Sequence, residues 1–209
     1  DQVWHRLRFE AAWLSATERV EVELGLARFL AWRQARDAEL VGVEVPFTLS
    51  LDVDGITVVL DGKVDWLERT AAGLRVVDFK TSRSTPTKAA IAGMEQLGVY
   101  QLAVAAGGFD AVAPGRNHCD GAAAVYLRLP DKPEDLPREF SQESLEKVPY
   151  LDLDPEEERR YPSWAHQRIA SAAKVIAEGS FPATPGAHCR VCAFASSCPA
   201  SGRGEQVLR

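Results

Sequence analysis

Gly62-Lys63-Val64-Asp65-Trp66-Leu67-Glu68 and, after a short break, Leu74-Arg75-Val76-Val77-Asp78-Phe79-Lys80-Thr81 decide how this chain folds. Both runs are rich in β-branched and aromatic residues. The stretch Arg69-Thr70-Ala71-Ala72-Gly73 between them is short enough for a hairpin. If the chain folds back about Ala71-Ala72, the numbers of facing residues sum to 143 and Asp65 faces Asp78. Ala-Ala is a poor tight-turn pair, which leaves a one-residue shift or a bulge open. Facing side chains lie ~4.5–5.5 Å apart at Cβ. Two carboxylates that close repel unless a cation sits between them or one stays protonated. Side chains at i and i+2 share a face, so Lys80 joins Asp78 while Phe79 points into the core. Two acids and an amine converge at one end of the hairpin.

Upstream, Val43, Val45, Phe47, Leu49 and Leu51 alternate with Glu44, Thr48 and Ser50, the period of a strand with one wet face. Asp52-Val53-Asp54-Gly55 reads as a turn, and Ile56 to Leu60 resumes strand. Residues 1–40 read as helix, with Trp13, Leu14, Val20, Leu24, Ala27 and Leu30 or Ala31 on its apolar face. Downstream, residues 86–106 read as a helix that starts near Pro86 and ends at Gly107-Gly108. Ala122 to Leu129 is a buried strand, and residues 130–149, with four prolines, read as exposed loop. Asp154-Pro155-Glu156-Glu157-Glu158 has the composition of a helix N-terminus, and its helix runs towards Gly179. The order predicts an α/β fold: one central mixed sheet flanked by helices. Its expected divisions are 1–40 helical, 41–180 core and 181–209 a cysteine-bearing tail packed on the same domain.

The 209 residues suffice for one domain, and 46% hydrophobic with 26% charged residues is globular composition. No apolar run approaches the ~18–20 residues of a membrane span, so a soluble, membrane-free protein is expected. The chain opens at Asp1 with no signal-type core, so it is read as an excised piece of a longer chain. A net charge of −6 argues against a protein held to nucleic acid by its overall field. Lys80, Arg83, Lys88 and Arg116 could still form a local basic rim, or a solvated surface. Cys189-x-x-Cys192-x5-Cys198 reads as a metal or cluster clip rather than disulfides, hence a reducing, cytoplasmic setting.

A small set of oxygen ligands suits Mg²⁺ or Mn²⁺, which keep waters and bind substrate phosphate. Such an ion lowers the pKa of a bound water, and Lys80 could orient or deprotonate that water or neutralise developing charge. Gln96 and Tyr100, at i and i+4, share one helix face where they can meet phosphate oxygens or the lysine. Gly62-Lys63 fails as a phosphate loop, because Thr57 and Val64 stand where glycine and Ser or Thr are required.

The full order Gly62-x-x-Asp65, Asp78-x-Lys80-Thr81, Gln96-x-x-x-Tyr100 resembles the RecB-type nuclease branch of the PD-(D/E)xK superfamily. The likeness is greatest to the C-terminal nuclease domains of AddB, AdnA and AdnB helicase–nucleases. The resemblance implies a restriction-endonuclease-like sheet and a Mg/Mn-dependent deoxyribonuclease, with exonuclease preferred to endonuclease action. Asp65 and Asp78 would bind the metal, the Phe79 carbonyl would add an oxygen, and Lys80, Gln96 and Tyr100 would complete the catalytic set. The implied partners are DNA, the helicase motor of the parent protein and a partner helicase subunit, in processing of double-strand ends for recombinational repair. The tail resembles the three C-terminal cysteines that hold a 4Fe–4S cluster in relatives, whose fourth cysteine lies upstream of the nuclease motifs. Zinc is the alternative, with His188, His118 or Cys119 as fourth ligand, and an empty clip is a third. Relatives also take a His or Glu from an N-terminal helix as metal ligand; neither His5 nor Glu44 is assigned that role. The rival reading is a non-catalytic DNA-binding or scaffold module with a nuclease fold.

Overall fold

A computed structural model of the chain describes Trp4 and residues 11–131, 135–151 and 160–200. It forms two compact units, residues 1–168 and 169–209. In the first, strands β1 (Glu39–Val53), β2 (Ile56–Arg69), β3 (Leu74–Lys80), β4 (Cys119–Pro130) and β5 (Pro137–Gln142) form one sheet in chain order. All pairs are antiparallel except β3 with β4. That parallel step needs a crossover. Helices α2 (Lys88–Ala92) and α3 (Glu95–Ala105) supply it.

The expected register holds in the hairpin. Trp66 faces Val77 and Arg69 faces Leu74, both summing to 143. Thr70, rather than the two alanines, fixes the turn: its Oγ1 accepts from the N–H of Ala72 (3.1 Å) and Gly73 (3.2 Å) and donates to Asp120 Oδ2 (2.7 Å). Gly73 has φ 155°, and a Cβ there would stand 2.5 Å from the His118 carbonyl oxygen. Only glycine fits that approach.

The helix α1 (Ala12–Gln34) lies on one sheet face, over Trp66, Val77, Ala123 and Val125. Phe29 and Trp32 from α1 and Phe79 from β3 meet at centroid distances of 5.2–6.1 Å. This cage buries Phe79 on the α1 side, so alternation turns Asp78 and Lys80 to the other.

Four expectations are corrected. The α1 stripe read as core is outside: Trp13 is 71% exposed, and Val20, Leu24, Ala27 and Leu30 are exposed too. Polar anchors on the opposite side set the helix instead. Arg28 donates to the Leu127 carbonyl, Trp32 Nε1 to Glu139, and Arg36 to Glu68 and Glu139, while Glu18 pairs with Arg128. Ile56–Leu60 and Lys63–Glu68 are one strand, because Phe47 covers Gly62 and pairing continues through Asp61. The helix expected over 86–106 breaks at Gly93-Met94 into α2 and α3. Residues 137–142, expected as loop, form β5, where Phe140 meets Tyr126 edge-on at 5.4 Å. The proposed helix start at 154–158 lies outside the described residues. A last helix, α4, spans Trp164–Glu178, and a 3₁₀ turn, Ala187–Val191, carries Cys189.

Candidate active site

At the far end of the hairpin from its turn, ladder pairing between β2 and β3 stops at Trp66 and Val77. Beyond that pair the same register brings Asp65 and Asp78 together, and there Asp65 crosses to β3 with its side chain. Asp65 Oδ2 accepts from the Phe79 backbone N–H at 2.8 Å. That bond ties the first acid to the strand that carries the second. Lys80 Nζ lies 2.7 Å from Asp78 Oδ2 and donates to Gln96 Oε1 at 2.6 Å. Gln96 Nε2 donates to the Tyr100 hydroxyl at 2.8 Å, which donates to the Lys63 carbonyl at 3.3 Å. Asp65, Asp78, Lys80, Gln96 and Tyr100 are therefore brought to one place, with Phe79 as their backbone hinge.

Two glycines make this convergence possible. A Cβ at Gly62 would stand 2.8 Å from the Phe47 ring, and that ring packs edge-on against Tyr100 at 6.0 Å. A Cβ at Gly98 would stand 2.7 Å from Trp164 and 3.2 Å from Ala165 Cβ. Gly98 sits between Gln96 and Tyr100, on the side of α3 that must press close to the start of α4.

Asp78 is 3% exposed. Burial pushes its carboxyl above the usual range, Lys80 pulls it back, and the charge of Asp65 adds to the rise. The Tyr100 hydroxyl is raised by burial, and the two nearby carboxylates add to that. Asp78 Oδ2 is shielded from solvent, and its close partner is the Lys80 ammonium at 2.7 Å. An acid buried under those conditions favours a cation beside it. Among the described residues, no group of three or more His, Cys, Asp or Glu could hold a metal ion. Mg²⁺-type ions need only one or two carboxylates, completed by water and substrate phosphate, so the Asp65–Asp78 pair fits one.

Other named residues are not gathered here. Glu44 adopts φ 52° on β1 and pairs with Lys63. Arg83 is engaged by Glu18 at 3.4 Å and Glu21 at 3.7 Å, which takes it from the basic rim. Arg116 lines a cavity of about 290 Å³ with the β2–β3 turn, the opposite end of β3 from Lys80. His5 lies outside the described residues. Cys189, Cys192 and Cys198 form no disulfide and, as placed, no three-ligand cage. Cys119 is buried in the first unit with its thiol pushed up to about 12, and His118 pairs with Glu146 at 3.0 Å. The raised thiol disfavours Cys119 as a thiolate ligand, whereas a carboxylate on Nδ1 is a partner that a metal-bound imidazole also takes. Sequence reading missed Gln101, Gln142 and the buried Glu68–Arg36 pair. Gln101 had a signal, a lone amide within the apolar run Leu97–Val104; Gln142 had none.

The family model of the PD-(D/E)XK nuclease superfamily matches residues 1–199. A solved structure titled "Crystal structure of SSO0001" is similar at a TM-score of 0.49 and 18% identity, over 91% of this chain and 72% of that one. No curated protein matches the chain.

Proposed function

The chain belongs to the PD-(D/E)XK nuclease superfamily, and from that premise we propose that it hydrolyses DNA phosphodiester bonds at the Asp65–Asp78–Lys80 site. Asp65 and Asp78, with the Phe79 carbonyl oxygen, would hold Mg²⁺ or Mn²⁺. When bound, such a cation lowers the pKa of a water and stabilises charge on the phosphate. Lys80 would orient the attacking water and offset the negative charge that builds on the phosphate as the water oxygen bonds to phosphorus and the P–O bond to the leaving oxygen breaks. Gln96 shares that ammonium with Asp78, and Tyr100 holds the Gln96 amide in the orientation that presents Oε1 to the lysine. The observation that carries this reading is the position of Lys80 Nζ, 2.7 Å from Asp78 Oδ2 and 2.6 Å from Gln96 Oε1.

The finer parts of the proposal rest on motif order. They are exonuclease action as the nuclease module of an AddB- or AdnA/AdnB-like helicase–nuclease, with a motor region and a partner subunit, in cytoplasmic repair of DNA ends. Among the described residues, no helix is long and apolar enough to cross a membrane. The spacing of Cys189, Cys192 and Cys198 supports three ligands of a 4Fe–4S cluster, with zinc as the alternative. Iron, sulfide and zinc analysis separates the two.

The test is digestion of linear single- and double-stranded DNA with Mn²⁺. Wild-type protein is expected to release nucleotides and Lys80→Ala to release none, although Lys80→Ala still binds Mn²⁺. Equal digestion by both proteins contradicts the assignment of Lys80. No digestion by either leaves the fold as a DNA-binding scaffold.

A further inference from the structure

Two buried amides outside the catalytic row, Gln101 and Gln142, hold the helix that carries Gln96 and Tyr100. Gln142, the last residue of β5, is 4% exposed, and Gln101 of α3 is 1% exposed. We propose that Gln142 is a positioning residue for Lys80, acting through the junction of α2 and α3; the proposal rests on the nuclease reading above.

Gln142 Nε2 lies 2.7 Å from the Ile91 carbonyl oxygen, 3.1 Å from that of Ala92 and 3.2 Å from that of Met94. These carbonyls close a five-residue helix and open the next one. Carbonyls at a helix end have no partner within the helix, and here a side chain from the edge strand supplies it. Met94 is the N-cap of α3 and offers no side-chain cap. Its carbonyl is shared between Gln142 and the Gly98 N–H at 3.1 Å, which belongs to the first turn of α3. The point where α3 begins is thus set from β5. Gln96, the second residue of α3, is the one whose Oε1 holds Lys80 at 2.6 Å.

Gln142 is itself held from both sides. Its Oε1 accepts from Gln101 Nε2 at 2.8 Å. Gln101 Nε2 also donates to the Glu143 carbonyl at 3.1 Å, and Gln101 Oε1 accepts from Leu145 N–H at 2.9 Å. On the backbone, Gln142 faces Ala122 beside Gly121, which has φ 80°. A Cβ at 121 would stand 2.5 Å from the Gln142 carbonyl oxygen. A path therefore runs from β4 through Gln142 to the Met94 carbonyl, along the first turn of α3 to Gln96, and through its Oε1 to Lys80. Asp65 and Asp78 are not on it, since the β2–β3 hairpin places them independently. A lysine on a four-carbon stem needs such support, because small misplacement of a reacting group costs orders of magnitude in rate.

The test is a double-mutant cycle in Mn²⁺-dependent DNA digestion. Gln142→Met keeps the volume and removes the donors. Its kcat is expected to fall about tenfold or more, with KM for DNA and calorimetric Mn²⁺ affinity within about twofold of wild type. In a Gln96→Ala background, the same substitution is expected to cost almost nothing further. Independently of activity, amide hydrogen exchange in the first turn of α3 is expected to accelerate in Gln142→Met. An undiminished loss in the Gln96→Ala background, a loss expressed in KM or Mn²⁺ affinity, or unchanged exchange would overturn the proposal. If Gln142→Met does not fold, Gln101→Met carries the same expectations. Failure of both to fold assigns the amides to stability alone and also overturns it. A wild-type protein that cuts no DNA sinks the nuclease reading instead, and the exchange measurement then decides the clamp by itself.

Discussion

Glu68 and Asp78 are buried carboxylates on neighbouring strands, 0% and 3% exposed, and they face opposite sides of the sheet. Glu68 is saturated. Arg36 grips both of its oxygens, with Nε to Oε2 at 2.9 Å, and Trp66 Nε1 adds a bond at 3.2 Å. Asp78 has the single ammonium of Lys80, which it shares with Gln96, and a second carboxylate beside it. The first arrangement is a finished structural pair, costly to break. The second is left incomplete in a way a divalent cation would complete. Burial of an acid therefore does not mark a site here; the lack of satisfied partners does.

The largest effect expected from breaking this contrast is on cleavage. Asp78→Ala should lose roughly 10³-fold or more of Mn²⁺-dependent digestion, as loss of a group that supports transition-state charge does. The fold should survive, because the substitution removes repulsion with Asp65 rather than a satisfied bond. Glu68→Ala should do the reverse. It leaves Arg36 with Glu139 alone and Trp66 Nε1 without its acceptor, and should cost roughly 2–3 kcal/mol, a melting temperature lower by about 4 °C or more. The remaining folded protein should cut DNA at the wild-type rate. Loss of cutting by folded Glu68→Ala, or a collapse of stability in Asp78→Ala, would erase the distinction.

A third substitution sharpens the comparison on the packing side. Gly62→Ala places a methyl group into the Phe47 ring, which supports Tyr100. Overpacking of this kind costs about 1–3 kcal/mol. The expected result is a lower melting point with a smaller loss of turnover than Asp78→Ala shows, measured by calorimetry and the same digestion. A neutral outcome would mean that Phe47 can step aside without disturbing Tyr100.

What could be read from the chain divides along the same line. The hairpin was legible because the runs on either side of its turn are rich in apolar residues, its loop is brief, and alternation then dictates which side chains meet. The α1 face was not. Its apolar stripe through Trp13, Val20 and Leu24 follows helical spacing, but Phe29, Trp32 and the ion pairs of Glu18 and Arg36 decide which side docks. Hydrophobic periodicity cannot weigh an arginine that finds one buried and one half-buried acid. β5 was hidden by its flanking prolines, and with it went Gln142, whose role exists only once β5 lies beside the α2–α3 junction. The break between α2 and α3 is likewise set by a side chain 48 residues from Met94, outside any local window.

The smallest expected effect is in pH dependence. Burial raises the Asp78 carboxyl above its unfolded value. Between the two values the folded state binds more protons than the unfolded one, so stability falls as pH rises through the folded pKa. In metal-free buffer, the melting curves of wild type and Asp78→Asn should converge at low pH. Above that pKa the variant should be the more stable. Parallel curves across the acid range would show that Asp78 carries no burial penalty.

Calorimetric titration with Mn²⁺ on wild type, Asp78→Asn and Glu68→Gln tests the account most directly. Wild type and Glu68→Gln are expected to bind the ion with the same affinity, and Asp78→Asn to give no binding heat. Equal binding by all three proteins would place the ion elsewhere and contradict the account.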